Sequence, residues 1–357
     1  MKTPALVLAA LLLGTAVMPL ALDHQALGRS STEAARMIDA AERKAVIEEF
    51  AALLRARYVD AATGSRYAAA LEGAAARGDF DELADANAFA ARLTDYVRAV
   101  SPDKHLRISV GDVPERGRGT RAPRLLPDLE ARWVAPGIAW LAINASPADP
   151  DVAAEAKRLL LAHAGARVLI LDLRQNRGGA GEIMDTLFPY LFEKPIPLLL
   201  MDTRADAEAS LGAPDEGPSL RRVASPESVV RREHVATPHA SERRFFNTPV
   251  YVLTSARTAS VAEAMTLALK RTGRATIVGE TTSGAGHYGS FVRVGERFVA
   301  FVPFGRTIDP DTGRGWEGVG VAPDVAVPAD RALETALELA GVTGCGSYST
   351  YAPLGVR

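Results

Sequence analysis

The chain contains very little cysteine, with Cys345 alone among 357 residues, so an internal disulfide is excluded and stability must come from the packed core. The six histidines and this cysteine show no metal-binding spacing such as HExxH or CxxC, and we predict no metal and no other cofactor. The 41 Lys and Arg residues nearly balance the 43 Asp and Glu residues, for a formal net charge of -2. Without a basic surplus, we expect neither nucleic acid nor an anionic membrane among its partners.

The apolar stretch near the N-terminus, Ala5 to Leu13, is too short to cross a membrane comfortably. It follows a positive start at Met1-Lys2 and precedes small residues at Gly14-Thr15-Ala16 and Pro19-Leu20-Ala21, which is typical of a cleavable export signal. We therefore expect export, periplasmic or secreted, with a signal peptide within residues 1–26 that is removed at an uncertain position. An uncleaved anchor is the alternative.

Hydrophobic residues make up 48% of the chain, enough for a sizeable core, and their period changes near residue 105. Residues 27–104 are predicted to be an N-terminal domain, a three-helix bundle whose helices lie between Ser31 and Val100. Residues 105–345 alternate apolar strands with helices of about a dozen residues, which predicts an α/β domain with a largely parallel sheet. Residues 346–357 form a C-terminal tail.

One part of the second domain lacks this alternation. The segment Asp202 to Asn247 is polar, contains Gly, Pro, Ser and Arg, and shows little periodicity. A stretch of that length inside a compact domain predicts a functional loop or a flexible insertion.

Ser260 lies where a buried strand, Val250 to Thr254, passes through a short link to an apolar-periodic helix, Ser260 to Thr272. A helix N-terminus has unpaired N–H groups and the positive end of the helix dipole, so an oxyanion formed beside it is stabilised. Acyl-transfer enzymes need their nucleophile in such a place, which makes Ser260 a candidate nucleophile. The alternative is that Ser260 only caps the helix.

A second candidate segment ends in Gly178-Gly179, just after a buried strand, where open α/β sheets bind their ligands. Glycine lets its amide approach a substrate closely. The N–H groups of Gly178 or Gly179 could therefore complete an oxyanion hole with the N–H group of Val261. The alternative is a glycine-rich lead into a helix, with no catalytic part.

A serine nucleophile needs a base, and Ser260 has no activating neighbour in the sequence, so the base must come from the fold. His105 lies at the junction of the helical region and the sheet, and His287 lies in a glycine-rich loop after a strand. Glu317, a carboxylate between glycines, could orient the imidazole. The alternative is that His105 and His287 are structural and that Glu317 is only a surface acid in a turn.

Four segments resemble the motifs of peptidase family S41, in the order of that family, and the resemblance covers about Leu141 to Val327. The segments are Leu171–Gly179 (LDLRQNRGG), Thr254–Glu263 (TSARTASVAE), Gly279–Thr282 (GETT) and Gly318–Asp324 (GVGVAPD). The helical region that ends in Asp103-Lys104-His105 resembles the N-terminal region of the interphotoreceptor-retinoid-binding-protein-like branch. The resemblance implies a crotonase-like (ClpP-like) α/β catalytic domain with Ser260 as the nucleophile.

Two differences separate the chain from the carboxyl-terminal processing proteases of this family. Their serine–lysine dyad has its lysine in the loop after the GET-like motif, where this chain has Ala285. Their PDZ domain does not fit between His105 and Asp172, which are only about 65 residues apart. Tricorn-like members use a histidine that a serine and a glutamate orient. His105 and Glu317 match that histidine and glutamate, and Lys104 stands at the position of the serine.

The resemblance therefore implies an exported serine peptidase that cleaves a protein or peptide through an acyl-enzyme, with His105 as its base and His287 as the alternative base. A rival interpretation is a catalytically weak or inactive binder of an apolar ligand or peptide on the same fold. A crotonase-type acyl-CoA enzyme shares the fold but does not suit an exported protein. The sequence indicates neither the physiological substrate nor the oligomeric state.

Overall fold

The computed structural model describes residues 37–114, 126–211 and 216–342. The predicted signal peptide and the C-terminal tail therefore lie outside the described residues. Within those ranges, no helix combines the length and the apolar character that crossing a membrane requires. The described chain is a mixed α/β protein with two six-stranded sheets, which confirms the predicted α/β class.

Three helices occupy the region that was predicted to be helical: α1 (Ala40–Arg57), α2 (Ala61–Ala76) and α3 (Ala86–Val100). The strands, in chain order, are β1 (Arg107–Val110), β2 (Leu129–Ala135), β3 (Ile138–Ile143), β4 (Val168–Asp172), β5 (Ile196–Arg204), β6 (Leu220–Val223), β7 (Val229–Ala236), β8 (Val250–Thr254), β9 (Thr276–Gly279), β10 (His287–Val294), β11 (Phe298–Ile308) and β12 (Val325–Ala326). The other helices are α4 (Pro150–Ala162), α5 (Glu182–Leu187), α6 (Ala205–Leu211), α7 (Val261–Arg271) and α8 (Ala332–Leu339), with a 3-10 helix at Phe188–Tyr190.

The largely parallel sheet has the strand order β12-β9-β8-β4-β3-β2. All neighbours are parallel except β2, which is antiparallel to β3. Strands β3 and β4 are buried along their whole length, as expected for a sheet covered on both faces. One face packs with α4, α5 and α7 in the largest core, and the other packs with α8.

The second sheet is antiparallel and is built around the long strand β11. Its order is β1-β11-β5-β7-β6, with β10 also paired to β11. Strand β10 follows one side of β11, while β1 and then β5 pair with successive parts of its other side. The segments that contain His105 and His287 are therefore brought together by their common neighbour, β11.

The three N-terminal helices do not enclose a separate hydrophobic core. Their buried side chains pack together with those of the antiparallel sheet. Phe89 of α3 packs edge-on against Phe298 of β11, with ring centroids 6.0 Å apart. Buried side chains of β1, β10 and β11 belong to the same apolar cluster as those of the helices. The helical region is thus packed onto the sheet that carries the two candidate histidines.

The polar segment Asp202 to Asn247 is not a long loop, and that prediction is wrong. It completes β5 and forms α6, β6 and β7 in the antiparallel sheet. The strands of this segment lack the usual alternation of apolar and polar residues, because they carry charged side chains that form ion pairs in the folded sheet. Arg231 donates to Asp202 at 2.6 and 2.8 Å. The buried Arg232 donates to Glu208 at 2.7 and 2.9 Å.

The candidate site lies at the carboxyl ends of β4 and β8, which are neighbours in the parallel sheet, with Asp172 opposite Leu253. The segments that follow these strands stay together, since the Ala259 N–H group donates to the Asn176 carbonyl at 3.0 Å. This is the strand edge at which the sequence predicted a ligand site.

Candidate active site

Ser260 occupies the tight turn between β8 and α7, in a conformation that side chains rarely adopt. Its backbone angles are φ 56° and ψ -121°, and no other described non-glycine residue has a positive φ. The aspartates that cap α1, α2, α3 and α4 all have ordinary extended angles. Ser260 does stand at the N-cap position of α7, but capping a helix does not require this strain, and strain of this kind concentrates at functional sites.

A buried carboxylate holds this turn. Glu263 is fully buried, and its Oε2 accepts the N–H groups of Ser260 and Ala285, both at 2.8 Å. Its Oε1 accepts the Thr282 hydroxyl at 2.6 Å and the Gly284 N–H at 2.7 Å. Four hydrogen bonds compensate the cost of burying the charge. Glu263 therefore fixes the serine turn and the loop that leads to His287 against each other.

The two glycines predicted to form an oxyanion hole lie beside Ser260. Gly178 and Gly179 have φ angles of 97° and 138°. A Cβ at Gly178 would lie 2.5 Å from the Cβ of Ser260, and one at Gly179 would lie 1.8 Å from the carbonyl oxygen of Ser146. Both the backbone angles and the close approach therefore require glycine.

The predicted alternatives for the oxyanion hole differ in the hydrogen bonds they already make. The Gly178 N–H group donates to Oδ1 of Asn176 at 2.8 Å, so it is not free to bind a substrate oxygen. Among the described residues, the N–H groups of Gly179 and Val261 have no hydrogen-bond acceptor. The geometry thus favours Gly179 with Val261, and it gives Gly178 the role of holding the loop to Asn176.

Two histidines, His234 and His287, line the cavity that contains Ser260. The Nε2 of His234 lies 2.8 Å from Oδ1 of Asp185. His287 is the first residue of β10. Its Nδ1 lies 2.8 Å from Oδ2 of Asp103. Since an ionised carboxylate can only accept, Nδ1 carries the proton, and Nε2 is left with a lone pair that can act as a base.

Asp103 is the charged partner of that imidazole, and it is almost completely buried. Its Oδ1 accepts the N–H groups of His105 and Leu106, both at 2.8 Å. Burial acts to raise the pKa of Asp103. The hydrogen bond and charge of His287, with the Leu106 N–H group and the Tyr58 hydroxyl, outweigh burial and lower this pKa below its ordinary value. Asp103 is therefore an anion at neutral pH.

Glu317 approaches the same imidazole but serves mainly the backbone. Its Oε2 accepts the N–H groups of Gly286 at 2.6 Å and His287 at 3.0 Å, and its Oε1 accepts the Lys104 N–H at 2.9 Å. Oε2 lies 3.9 Å from His287 Nδ1, which is beyond hydrogen-bond distance. Glu317 thus joins the segments that carry Asp103 and His287, and the imidazole is oriented by Asp103.

His105, the base preferred from the sequence, does not line the pocket that contains Ser260. Its ring stacks on Phe301 of β11, with centroids 5.5 Å apart and planes 29° apart. Its Nδ1 is buried without a hydrogen-bond partner. Burial lowers the pKa of His105, against the opposing charges of Asp103 and Glu317. The structure therefore separates His105 from the serine and brings the alternative histidine to it.

The pocket beside Ser260 is small and mostly apolar. Its volume is about 160 Å³, and it also contains Gly179 and Val261. Its apolar wall is formed by Met184, Leu199, Met201, Ala264 and Trp316. A cavity of roughly 150 Å³ with such a lining accommodates a ring the size of benzene. The pocket therefore has room for one apolar side chain next to the nucleophile.

The ligand atoms of Asp103, His287 and Glu317 lie within 4.8 Å of one another, a spacing that could hold a metal ion. However, each oxygen of the two carboxylates already accepts a hydrogen bond from an N–H or O–H group. The cluster is therefore satisfied as a hydrogen-bonded network, and the absence of a metal remains a prediction.

Three residues of the site have no assigned role in the sequence-based prediction: Asp103, Glu263 and Asn176. Asp103 stands two residues before His105 in the sequence, whereas its side chain contacts the ring of His287, 184 residues away. Glu263 follows Ser260 by three residues, which is the spacing of a capping box and gave a usable signal. Asn176 lies in the glycine-containing segment, but only the fold shows that it contacts Ser146 and Gly178.

Comparison with known families matches both parts of the chain. Residues 137–327, more than half of the chain, match the model of Peptidase family S41. Residues 34–131 match the N-terminal domain of peptidase S41 in eukaryotic IRBP. The first match contains Ser260 and His287, and the second contains Asp103.

Several solved structures are similar in fold. A candidate peptidase from Parabacteroides merdae gives a TM-score of 0.60 at 14% identity, covering 85% of this chain and 98% of that chain. The photosystem II D1 C-terminal processing protease gives 0.52 at 17% identity, with 85% and 98% covered. A lipoprotein from Streptococcus agalactiae gives 0.54 at 16% identity, with 84% and 96% covered. At these identities the likeness concerns the fold.

Proposed function

Since the chain belongs to peptidase family S41 and is a serine-type peptidase, we propose that Ser260 is its nucleophile and His287 its general base. Asp103 orients the imidazole of His287, and the N–H groups of Gly179 and Val261 bind the oxyanion. The substrate is a protein or peptide. The observation that carries this assignment is the shared pocket of Ser260 and His287, together with the 2.8 Å contact from His287 Nδ1 to Asp103.

The reaction follows from these positions. His287 Nε2 takes the proton of the Ser260 hydroxyl as Oγ bonds to the peptide carbonyl carbon. The carbonyl oxygen becomes an oxyanion between the two N–H groups. Imidazolium then protonates the amine as the C–N bond breaks, which leaves an acyl-enzyme. Water, deprotonated by His287, attacks the ester and releases the acid, and the proton returns to Ser260.

The assignment makes the base a histidine rather than the lysine of a serine–lysine dyad. Ala285 stands where the sequence alignment requires that lysine, and no lysine lines the pocket in the described part of the chain. His287 replaces His105 in this proposal because His105 is stacked on Phe301, outside the pocket. Glu317 is proposed to position the loop rather than to contact the reacting atoms.

The Ser260→Ala variant tests the nucleophile. We expect it to lose turnover of an unfolded protein substrate by at least about 10³-fold while its melting temperature stays close to that of the wild type. Wild-type protein should react with a fluorophosphonate at Ser260, and the variant should not. Full activity of Ser260→Ala would refute the assignment.

The pocket supports a proposal about the side chain that precedes the cleaved bond. Its apolar wall and volume of about 160 Å³ suit Leu, Met or Phe better than a charged residue. A charged side chain would lose its hydration there without gaining a partner of opposite charge from the apolar wall. A peptide library should therefore be cleaved mainly after apolar residues.

We further propose that the protein is exported, periplasmic or secreted. Support comes from the signal-like N-terminal sequence, and one structural neighbour is described as a lipoprotein. We propose a crotonase-like (ClpP-like) fold for the catalytic part, supported by its parallel strands and the helices between them. The domain limits 27–104 and 105–345 stay predictions, and expression in fractionated cells would test the location.

The alternative function is that of a catalytically weak or inactive binder of an apolar ligand or peptide. The small apolar pocket would serve such a binder as well as it serves a peptidase. The two functions differ at the hydroxyl of Ser260. A binder would retain its ligand but would not react with a fluorophosphonate in the folded state, whereas the peptidase would be labelled.

A further inference from the structure

Tyr58 contacts the carboxylate that orients the catalytic histidine. Its hydroxyl donates to Oδ2 of Asp103 at 2.8 Å, the same oxygen that lies 2.8 Å from Nδ1 of His287. Both Tyr58 and Asp103 are 3% exposed. All four hydrogen bonds at this carboxylate come from the protein, two on each oxygen.

The phenol is held as a donor under all working conditions. Burial raises the pKa of Tyr58 far above its ordinary value, and the negative charge of Asp103 adds to the rise. The hydroxyl therefore keeps its proton. Because the ionised carboxylate can only accept, the direction of this hydrogen bond is fixed.

The position of Tyr58 is also fixed from several sides. Tyr58 is the C-cap residue of α1, and its N–H donates to Leu54 at 3.1 Å. The next residue, Val59, donates to the Pro303 carbonyl of β11 at 2.9 Å. Arg204, at the end of β5, donates to the carbonyls of Arg55 at 3.0 Å and Tyr58 at 3.2 Å. The antiparallel sheet thus clamps the end of α1 at the place where the phenol meets Asp103.

We infer that Tyr58 is a positioning residue for the peptidase reaction, acting on His287 through Asp103. The inference rests on the proposed function, and it assigns an active-site role to the N-terminal helices. Ser260 and His287 lie in the part that matches the peptidase family, whereas Tyr58 and Asp103 lie in the part that matches the N-terminal domain. The active site is completed by the helical region.

The loss of this hydroxyl has a defined consequence for catalysis. With one donor fewer, Asp103 is a less stabilised anion, and burial then raises its pKa. The active form, which requires ionised Asp103, is therefore lost at a higher pH than in the wild type.

Several other titratable or charged groups lie around this pair. They are Tyr67 from α2, His105 beside Asp103, Glu317 from the loop before β12, and Arg107, which acts on His105. None of them changes between the wild type and a phenylalanine variant of Tyr58. A difference in the pH profile of that variant therefore reports the phenol itself.

The Tyr58→Phe variant tests the inference. We expect kcat to fall about tenfold, the loss that one hydrogen bond to a charged group implies, with KM nearly unchanged. The acid limb of kcat/KM should move to higher pH. In an Asp103→Asn background, the same change should have little further effect, because Tyr58 acts through Asp103.

Tyr67→Phe is the matched control. Its ring packs edge-on against Tyr58 with centroids 4.9 Å apart. Its hydroxyl donates to the Ser101 carbonyl at 2.7 Å, lies at the longer distance of 3.5 Å from the Tyr58 hydroxyl, and makes no hydrogen bond to Asp103. It loses a buried hydroxyl from the same cluster, so it can lower the melting temperature, but kcat and the acid limb should stay at wild-type values. The inference is overturned if Tyr58→Phe changes only the melting temperature, as Tyr67→Phe does.

A second variant keeps the hydroxyl. With 3-fluorotyrosine at position 58, the phenol is a stronger donor of nearly the same size, and the acid limb should move to lower pH. An unmoved limb in this protein would overturn the inference even if Tyr58→Phe failed to fold. Failure of the proposed function is distinguishable, because it would appear as full activity of His287→Ala, whatever the Tyr58 variants do.

Discussion

His105 and His287 enter the same region of the molecule from opposite sides of β11, and they have opposite surroundings. His287 lies in the pocket with Ser260, and its ring is held by the buried carboxylate of Asp103. His105 is stacked on Phe301, and its Nδ1 is buried without a partner. The backbone of His105 nevertheless donates to that same carboxylate, at 2.8 Å.

Both histidines contact Asp103, but His105 does so through its backbone and His287 through its ring. Asp103 uses Oδ1 to fix the turn that leads into β1 and Oδ2 to orient the imidazole of His287. Only the second use leaves a ring nitrogen directed away from the acid and available to a nucleophile. Proximity to Asp103 in the sequence therefore does not indicate which imidazole ring that carboxylate contacts.

The largest expected effect separates the two histidines by activity. His287→Ala should lower kcat for an unfolded protein substrate by roughly 10⁴-fold, because the proposed base is lost. The other histidine of the pocket, His234, has its Nε2 at 2.8 Å from Asp185 and is not expected to replace it. His105→Ala should retain activity within about tenfold of the wild type at pH 8. Equal losses in the two variants would mean that the comparison is wrong.

The next effect concerns the two carboxylates near His287. Asp103→Asn should lower kcat by roughly 10²- to 10⁴-fold, since an amide can donate to Nδ1 and stabilise the wrong tautomer. Glu317→Gln is the matched control, because Glu317 binds backbone N–H groups and lies 3.9 Å from the ring nitrogen. It should reduce stability more than kcat. A larger kcat loss in Glu317→Gln than in Asp103→Asn would reverse their assigned roles.

A smaller effect is expected on specificity. Ala264 lies one helical turn after Ser260 and lines the pocket. Ala264→Leu should fill part of the 160 Å³ space and reduce cleavage after Phe relative to Ala by roughly 10- to 100-fold. Fluorophosphonate labelling of Ser260 should persist as the control. Unchanged preference with intact labelling would show that the substrate side chain binds elsewhere.

The smallest effect concerns stability and pH. Burial lowers the pKa of His105 in the folded protein, so protonation favours the unfolded chain. The associated stability is present above the ordinary histidine pKa of about 6.5 and is lost as pH falls below it. In urea unfolding at pH 7.5, 6.5 and 5.5, His105→Gln should therefore lose less stability on acidification than the wild type. Parallel losses in the two proteins would contradict this.

Much of the catalytic sheet could be predicted from local pattern. Buried parallel strands such as Val168–Asp172 are largely apolar runs, and the turn at Ser260 follows another of them, Val250–Thr254, after a short link. The closeness of Gly178-Gly179 to Ser260 follows because the ends of neighbouring parallel strands meet at one edge. These inferences require only that neighbouring strands run in the same direction and lie side by side in the sheet.

The remainder depends on contacts between distant parts of the chain. Arg231 and Arg232 make the sequence of β7 polar, so it lacks the apolar pattern that predicts a strand. Their charges are paired only after the sheet forms. Asp103 meets His287 across 184 residues, and no sequence pattern links them. The choice between two histidines therefore required the pairing of β1 and β10 with β11.

The most direct test of the Ser260–His287–Asp103 assignment is the rate at which a fluorophosphonate labels Ser260 in wild-type, His287→Ala and His105→Ala proteins at pH 8. This rate reports activation of the serine and needs no knowledge of the natural substrate. The assignment predicts near-wild-type labelling in His105→Ala and a loss of roughly 10³-fold or more in His287→Ala. Slow labelling of His105→Ala with normal labelling of His287→Ala would contradict it.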